Sequence, residues 1–419
     1  MTQVSRIGWG ALGVAWLVAS IGCGPGSQLR PEEPPATPEE GEGFEARWEA
    51  ATETFARHEQ AGWSAEACAG VAQAFRMAAH ATDAGPRAAD AHYMAGMSHQ
   101  RCGARGPAQT AYEAALGIRP GYCKARVGLG LAQLAGGSPA EAERSFRRAV
   151  EADRTCTEGW MNLGLLARRR GNLDEATVHL RRALAVDSAY VQAFHELALV
   201  HLDRAQEDAS QLDVAAIVCR QAQQIDPEYA PLYNTWAIVD LQRGRVVEAL
   251  QKLEHATTLD PELFEAHMNF GQITLSFRGY EDAERAFHAA LALRARDYDA
   301  LVGHGIALRG LHRVDEARER YAEARGVDPT RPEAWFNLGV LHQDHLEGSV
   351  EDLRRAEGFF ETFVSRANGD PDFAEEVEEV ERCCAPGRGR AARSRCHPGR
   401  LQNLQSALHA LGGGPAPSC

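Results

Sequence analysis

The sequence predicts an all-α solenoid of helix-turn-helix repeats, and three observations carry that expectation. Ala, Leu, Glu and Arg abound in a chain of 419 residues with only 7% aromatic side chains, which favours helix over strand. Small residues recur at an interval of 34 through the middle of the chain, the mark of a stacked repeat. Four prolines fall at one place in the repeat. A single compact domain of this length would be unusually large, so an extended array fits better. The net charge of −14, from 44 basic and 58 acidic residues, opposes general nucleic-acid binding.

The first 22 residues differ in kind. Ile7 to Ile21 are apolar or small and follow Arg6. A run of about 15 is short of the roughly 20 needed to span a bilayer and reads as the core of a secretory signal. The sequence Ala19-Ser20-Ile21-Gly22-Cys23 resembles a bacterial lipobox. That resemblance implies a lipidated Cys23 as the new N-terminus; cleavage elsewhere and an uncleaved anchor are the alternatives. Gly24 after the cysteine implies an outer-membrane lipoprotein facing the periplasm, by the sorting rule of enteric bacteria. Residues 23–43 hold Pro, Gly and Glu with almost no apolar content. Burial cannot offset their ordering entropy, so they read as a tether. Residues 44–88 (FEARWEAATETFARHEQ, then SAEACAGVAQAFRMAAHA) look helical and form a degenerate N-terminal repeat.

Residues 89–370 divide into eight repeats starting at Ala89, Cys123, Thr157, Val191, Ala230, Phe264, Tyr298 and Pro332. Position 8 is Gly96, Gly130, Gly164, Ala198, Ala237, Gly271, Gly305 or Gly339. Position 20 is alanine throughout, from Ala108 to Ala356, and position 27 is alanine in seven repeats and Phe363 in the last. Small residues there let two helices of a repeat, and neighbouring repeats, approach closely. Trp160, Trp335 and Phe194 at position 4 and Tyr112, Phe146, Phe287 and Tyr321 at position 24 fill the space between helices. Pro120, Pro227, Pro261 and Pro329 at position 32 end the second helix. Insertions around Glu207–Ser210 and His345–Ser349 lengthen the turn inside the fourth and eighth repeats.

With WMNLG at Trp160 and WFNLG at Trp335, this pattern resembles the tetratricopeptide repeat (TPR). The resemblance implies a right-handed superhelix of paired helices, A and B, with positions 2, 5, 9 and 12 of helix A lining a concave groove. No repeat buries its apolar face alone, so the stack needs caps. Residues 371–384 read as an acidic capping helix. Residues 385–419 contain five arginines and no acid, leaving −19 on residues 1–384. This basic tail reads as a solvated arm or as a contact for a polyanion, and Leu401, Leu404, Leu408 and Leu411 allow it a short amphipathic helix.

Little in the chain points to catalysis. Sixteen histidines include no HExxH, and His342 with His345 lacks a third ligand at useful spacing. Walker A, GxSxG and CxxC sequences are absent. The glycines around Gly128 and Gly130 lie in a helical pattern and serve packing. No enzyme, metal or cofactor is expected. Exported cysteines tend to pair, and Cys68 with Cys102 and Cys123 with Cys156 stand one repeat apart. Equivalent points on stacked helices lie roughly 8–10 Å apart, whereas a disulfide wants Cα atoms within about 7 Å. Disulfides and buried thiols both remain open, with Cys219 reading as a core thiol. Cys383-Cys384 with Cys396 could tie the tail to the cap.

The groove positions depart from the family pattern. Position 9 is Met97, Leu131, Leu165, Leu199, Ile238, Gln272, Ile306 and Val340, apolar in seven of eight repeats. Position 12 adds Leu134, Leu202, Leu241 and Leu275; position 5 adds Tyr93, Val127, Met161, Met268, Val302 and Phe336. These residues predict either an apolar binding stripe for a partner helix or extended segment, or core buried by tight coiling. Asn162, Asn269 and Asn337 recur at position 6, but acids stand where a carboxylate clamp needs lysine. The expected function is a non-catalytic, lipid-anchored TPR scaffold for protein partners of a cell-envelope machine. The plan of lipobox, tether and long array, with HQDHLEGSVEDLRRAEGFFETFV near the end, is similar to lipoproteins of the myxobacterial gliding-motility apparatus. A pilotin-like assembly factor for a type IV pilus or secretin and an outer-membrane activator of a peptidoglycan synthase are the alternatives.

Overall fold

The computed structural model describes residues 43–344, 350–367 and 369–384. The signal segment, the tether up to residue 42, the second insertion and the basic tail lie outside the described residues. The chain divides into two compact blocks at Pro227/Glu228. Nineteen α-helices and no strand occur among the described residues, and the fold is the all-α TPR solenoid the sequence predicts. No described helix is long and apolar enough to cross a membrane.

The N-terminal block holds α1 (Phe44–Ala61), α2 (Ala65–Ala79), α3 (Ala88–Arg101), α4 (Arg105–Ile118) and α5 (Cys123–Ala135). It continues with α6 (Pro139–Ala152), α7 (Thr157–Arg169), α8 (Leu173–Val186), α9 (Val191–Arg204) and α10 (Gln211–Ile225). The C-terminal block contains α11 (Ala230–Gln242), α12 (Val246–Leu259), α13 (Phe264–Ser276), α14 (Tyr280–Leu293) and α15 (Tyr298–Gly310). After α16 (Val314–Val327), α17 (Glu333–Asp344) and α18 (Val350–Ala367), a 3-10 turn at Pro371–Phe373 leads into α19 (Ala374–Cys384). Odd-numbered helices from α3 to α17 are the A helices of repeats 1 to 8, and the helix following each is its B partner.

Side-chain size sets the packing inside each repeat. A Cβ added to Gly130 would lie 2.4 Å from the ring of Phe146, and one on Gly305 would lie 2.4 Å from Tyr321. Gly96 against Tyr112, Gly271 against Phe287 and Gly339 against Phe360 repeat the arrangement. Position 8 is therefore glycine where position 24 is aromatic, because the ring lies on the bare helix backbone. Repeats 4 and 5 invert the trade: Ala198 and Ala237 occupy position 8, and Cys219 and Leu253 position 24. All four are completely buried. The position 20 and 27 alanines are likewise buried in every repeat.

Two turns recur. The A–B turn places position 15 in the left-handed region at Gly103, Gly137, Gly171 and Gly244, and at Arg278 and His312, with φ between 60° and 77°. Glycine takes this conformation at no steric cost, while Arg278 and His312 hold it against one. The B–A turn is built on position 31. There Asp153, Asp187, Asp260 and Asp328 accept the backbone N–H two residues on, at 2.8–2.9 Å, an Asx turn that starts the next repeat. The first insertion forms a cap of its own: Asp208 accepts the Ser210 N–H, the Ser210 hydroxyl and the Gln211 amide.

At the N-terminus, α1 and α2 are held by aromatic contacts. Trp48 and Phe55 meet the fully buried Phe75 edge-on, and Trp63 meets Phe55. At the other end Phe363, Phe373 and Val380 close a core cluster under the last repeat.

Candidate functional site

The A helices carry the candidate groove, and its residues do not behave alike in the two blocks. In the N-terminal block Tyr93, Met97, Leu131, Leu134, Met161, Leu165 and Leu199 are half-buried, while Val127 and Leu202 are buried. In the C-terminal block only Ile238 and Leu241 are half-buried; Met268, Leu275, Val302, Ile306, Phe336 and Val340 are buried. Met268, Leu275, Val302 and Ile306 belong to one core cluster. Gln272 is exposed. None of the seventeen apolar positions is fully exposed. The stripe is thus partly open in repeats 1 to 4 and largely core in repeats 6 to 8.

Several polar residues at the same faces are paired. Arg119 forms two bonds with Asp90, at 2.8 and 3.2 Å. Burial raises the Asp90 carboxyl, but Arg119 and Tyr122 hold it below the usual carboxylate range. Arg294 meets Glu265 at 2.9 Å, and Arg331 meets Asp299 and Glu333 at 2.7 Å each. Repeats 1 and 6 place an arginine, Arg119 or Arg294, at position 31, where repeats 2, 3, 5 and 7 have the Asx-turn aspartate. Position-2 acids are in these cases structural counter-ions. Asn162 and Asn337 donate to the carbonyls of Glu158 and Glu333 four residues back, and Asn269 donates to Asn234. Each of these bonds uses one of the two amide hydrogens of its asparagine.

A half-buried ionic network interrupts the stripe in repeats 3 and 4. Arg168, at position 12 of α7, reaches Glu196 at 3.1 Å and Asp203 at 3.0 Å on α9. His195 lies beside it, and burial, then the Arg168 charge, push its pKa down to about 4. It is neutral at physiological pH. The network escapes a search for motifs; its signal is opposite charge about one repeat apart. The same spacing carries Asn234–Asn269 and the Tyr298–Glu333 hydroxyl contact at 3.2 Å.

The structure joins Cys68 to Cys102 and Cys123 to Cys156, with Cα–Cα distances of 6.3 and 5.7 Å. These are shorter than equivalent mid-helix points because Cys102 caps the C-terminus of α3 and Cys156 the N-terminus of α7. Cys68 does not occupy the place corresponding to Cys102; it lies inside α2. Glu158 approaches the second bridge, and its carboxylate with the two sulfurs falls within 4.8 Å. Because the sulfurs are bonded to each other, the thiolates a metal would need are consumed. Cys219 is buried at position 24 of repeat 4. Cys23 and Cys396 lie outside the described residues.

The architecture defines a class: an all-α repeat protein of paired helices. The tetratricopeptide-repeat family model matches residues 106–155, 127–185 and 302–371, and the chain carries tetratricopeptide repeats. Among solved structures it is similar to the Cut9–Hcn1 hetero-tetramer of the APC/C, at 14% identity and a TM-score of 0.51, over 74% of this chain and 55% of that one. It is also similar to PilF of Pseudomonas aeruginosa (22% identity, TM-score 0.46, 55% of this chain and 97% of that one). A third likeness is to a thermophilic TPR protein of Thermus thermophilus (23%, 0.41, 45% and 99%). At these identities the likeness to Cut9–Hcn1 is one of fold. No curated protein matches the chain.

Proposed function

We propose that the chain is a non-catalytic scaffold that holds an apolar helix or extended segment of a partner protein along the A helices of repeats 1 to 4. One observation carries the reading. Met97, Leu131, Leu165 and Leu199 stand at one-repeat intervals and stay half-open, whereas Ile306 and Val340 at the same position are buried. A row of partly open apolar side chains on consecutive helices suits the helix-in-groove mode. Replacing Leu131, Leu165 and Leu199 together by glutamate tests it. The variant should keep its helical circular dichroism and melting temperature while losing a partner that co-purifies with the wild type. A collapse of melting temperature would mean the row is core and would remove the site.

The proposed setting is the cell envelope, with the chain anchored through lipid on Cys23 and displayed on the tether. The lipobox-like sequence, the proline-rich spacer and the long array support this, and gliding motility is the machine we favour. Cys23→Ser should release the protein from membranes or leave an unprocessed precursor. A variant that fractionates and migrates like the wild type would refute lipidation.

A further inference from the structure

One cleft on the N-terminal block has no place in the groove. It has a volume of about 460 Å3 and is built by α4, α5 and α6. None of its lining residues occupies positions 2, 5, 9 or 12. Three arginines line it: Arg126 from α5, and Arg144 and Arg148 from α6. The surrounding sequence is itself unusual. Residues 119–182 hold twelve Lys and Arg against seven Asp and Glu, in a chain of net charge −14.

Half of the arginines elsewhere in this block are neutralised by ion pairs, as Arg119, Arg168 and Arg204 are by Asp90, Glu196 and Asp174. Those of the cleft are not. Arg148 has no hydrogen bond or ion pair among the described residues. Arg144 has a single 3.7 Å contact with Glu141, both side chains being more than half exposed. Arg126 donates to the Pro120 carbonyl at 2.6 Å, which fixes its guanidinium, yet its Nε is buried with no partner. Burial, then the charge of Arg148, lower the Arg126 pKa. A guanidinium bonded only to a neutral carbonyl and set beside a like charge creates a positive potential that a bound anion would relieve.

We propose that this cleft binds a phosphate group, carried by a soluble phosphate compound or by a phospholipid head. Guanidinium forks match phosphate oxygens in pairs. Arg126 supplies the fixed donor, and Arg144 and Arg148 supply mobile ones. Gln133 adds an amide NH2, because its oxygen already accepts from Ser145 at 2.8 Å. Glu113 and Glu141 on the lining leave a formal charge of +1, an attraction that grows with the charge of the ligand and so favours a phosphate dianion over a single carboxylate. The open, polar lining suits a head group and not an apolar body.

The test uses the full chain carrying Cys23→Ser, so that a lipid anchor does not itself deliver the protein to vesicles. Pyrophosphate titrated calorimetrically at low salt should bind saturably. Arg126→Gln with Arg148→Gln should weaken it roughly tenfold or more, the loss expected of a charge-assisted hydrogen bond. Arg148→Gln alone, at an exposed position that leaves packing untouched, should weaken it in the same direction. Arg181→Gln with Arg182→Gln, exposed on α8, should leave affinity unchanged. Absence of saturable binding, or equal weakening by the α8 pair, would overturn the site. Sedimentation with phosphatidylcholine vesicles containing phosphatidylglycerol separates the two sources. Sedimentation that the cleft variants abolish assigns a lipid head, and pyrophosphate binding without sedimentation assigns a soluble ligand.

Discussion

Removing the Cys123–Cys156 bridge by a double change to alanine should cost the N-terminal block about 3–4 kcal/mol, and removing Cys68–Cys102 a similar amount. The figure is the loop-closure entropy for a link across 33 or 34 residues, about 3.7 kcal/mol at 25 °C in the chain-entropy model. It is an upper value, because neighbouring repeats still stack in the absence of the bond. The bridges tie α2 to the end of α3 and the start of α5 to the start of α7, so each couples successive repeats. Residues 228–384 should be unaffected. Urea melts of the oxidised and reduced chain, followed by hydrogen exchange in separate peptides, measure both blocks at once. An equal shift in the two blocks, or none in residues 43–227, would reject the estimate.

The fold was legible because its packing residues are small and periodic. Alanine at positions 20 and 27 is required wherever two backbones approach, so each repeat restates the constraint. Position 15 was harder to see. Its left-handed conformation is marked by glycine in four repeats but falls on Arg278 and His312 in two more, and a pattern read by residue type passes over those. The Cys68–Cys102 geometry was hidden by the linker between α2 and α3, whose extra turn at Gly85–Arg87 shifts Cys68 from the A–B turn into α2. The groove was legible as a row of apolar residues and not as a surface. Val302 and Leu165 look alike in sequence, and only the packing of neighbouring A helices makes Val302 buried and leaves Leu165 half-open. Ion pairs such as Arg168–Asp203 join residues about one repeat apart, a distance at which charge is rarely compared.

Gly130→Val should destabilise the N-terminal block by about 3 kcal/mol, at the upper end for overpacking a rigid core. The reason is the 2.4 Å approach of the new Cβ to the Phe146 ring, which is fully buried and cannot swing outward. A gentler pair of changes tests whether size exchange between positions 8 and 24 sets the packing outside repeat 3, where Gly164 faces Leu180 and an added Cβ would lie 2.7 Å from it. Gly130→Ala gains about 1 kcal/mol of helix propensity but still collides, for a net loss of about 1–2 kcal/mol. Phe146→Leu opens a cavity and should cost about 1–2 kcal/mol. Together they reproduce the Ala237/Leu253 combination of repeat 5, where both side chains are fully buried. The double variant should then be more stable than either single one, with a favourable coupling of about 2 kcal/mol in a double-mutant cycle. Strict additivity of the urea midpoints would show that the aromatic ring and the bare backbone are not matched to each other, and that glycine at position 8 answers some other constraint.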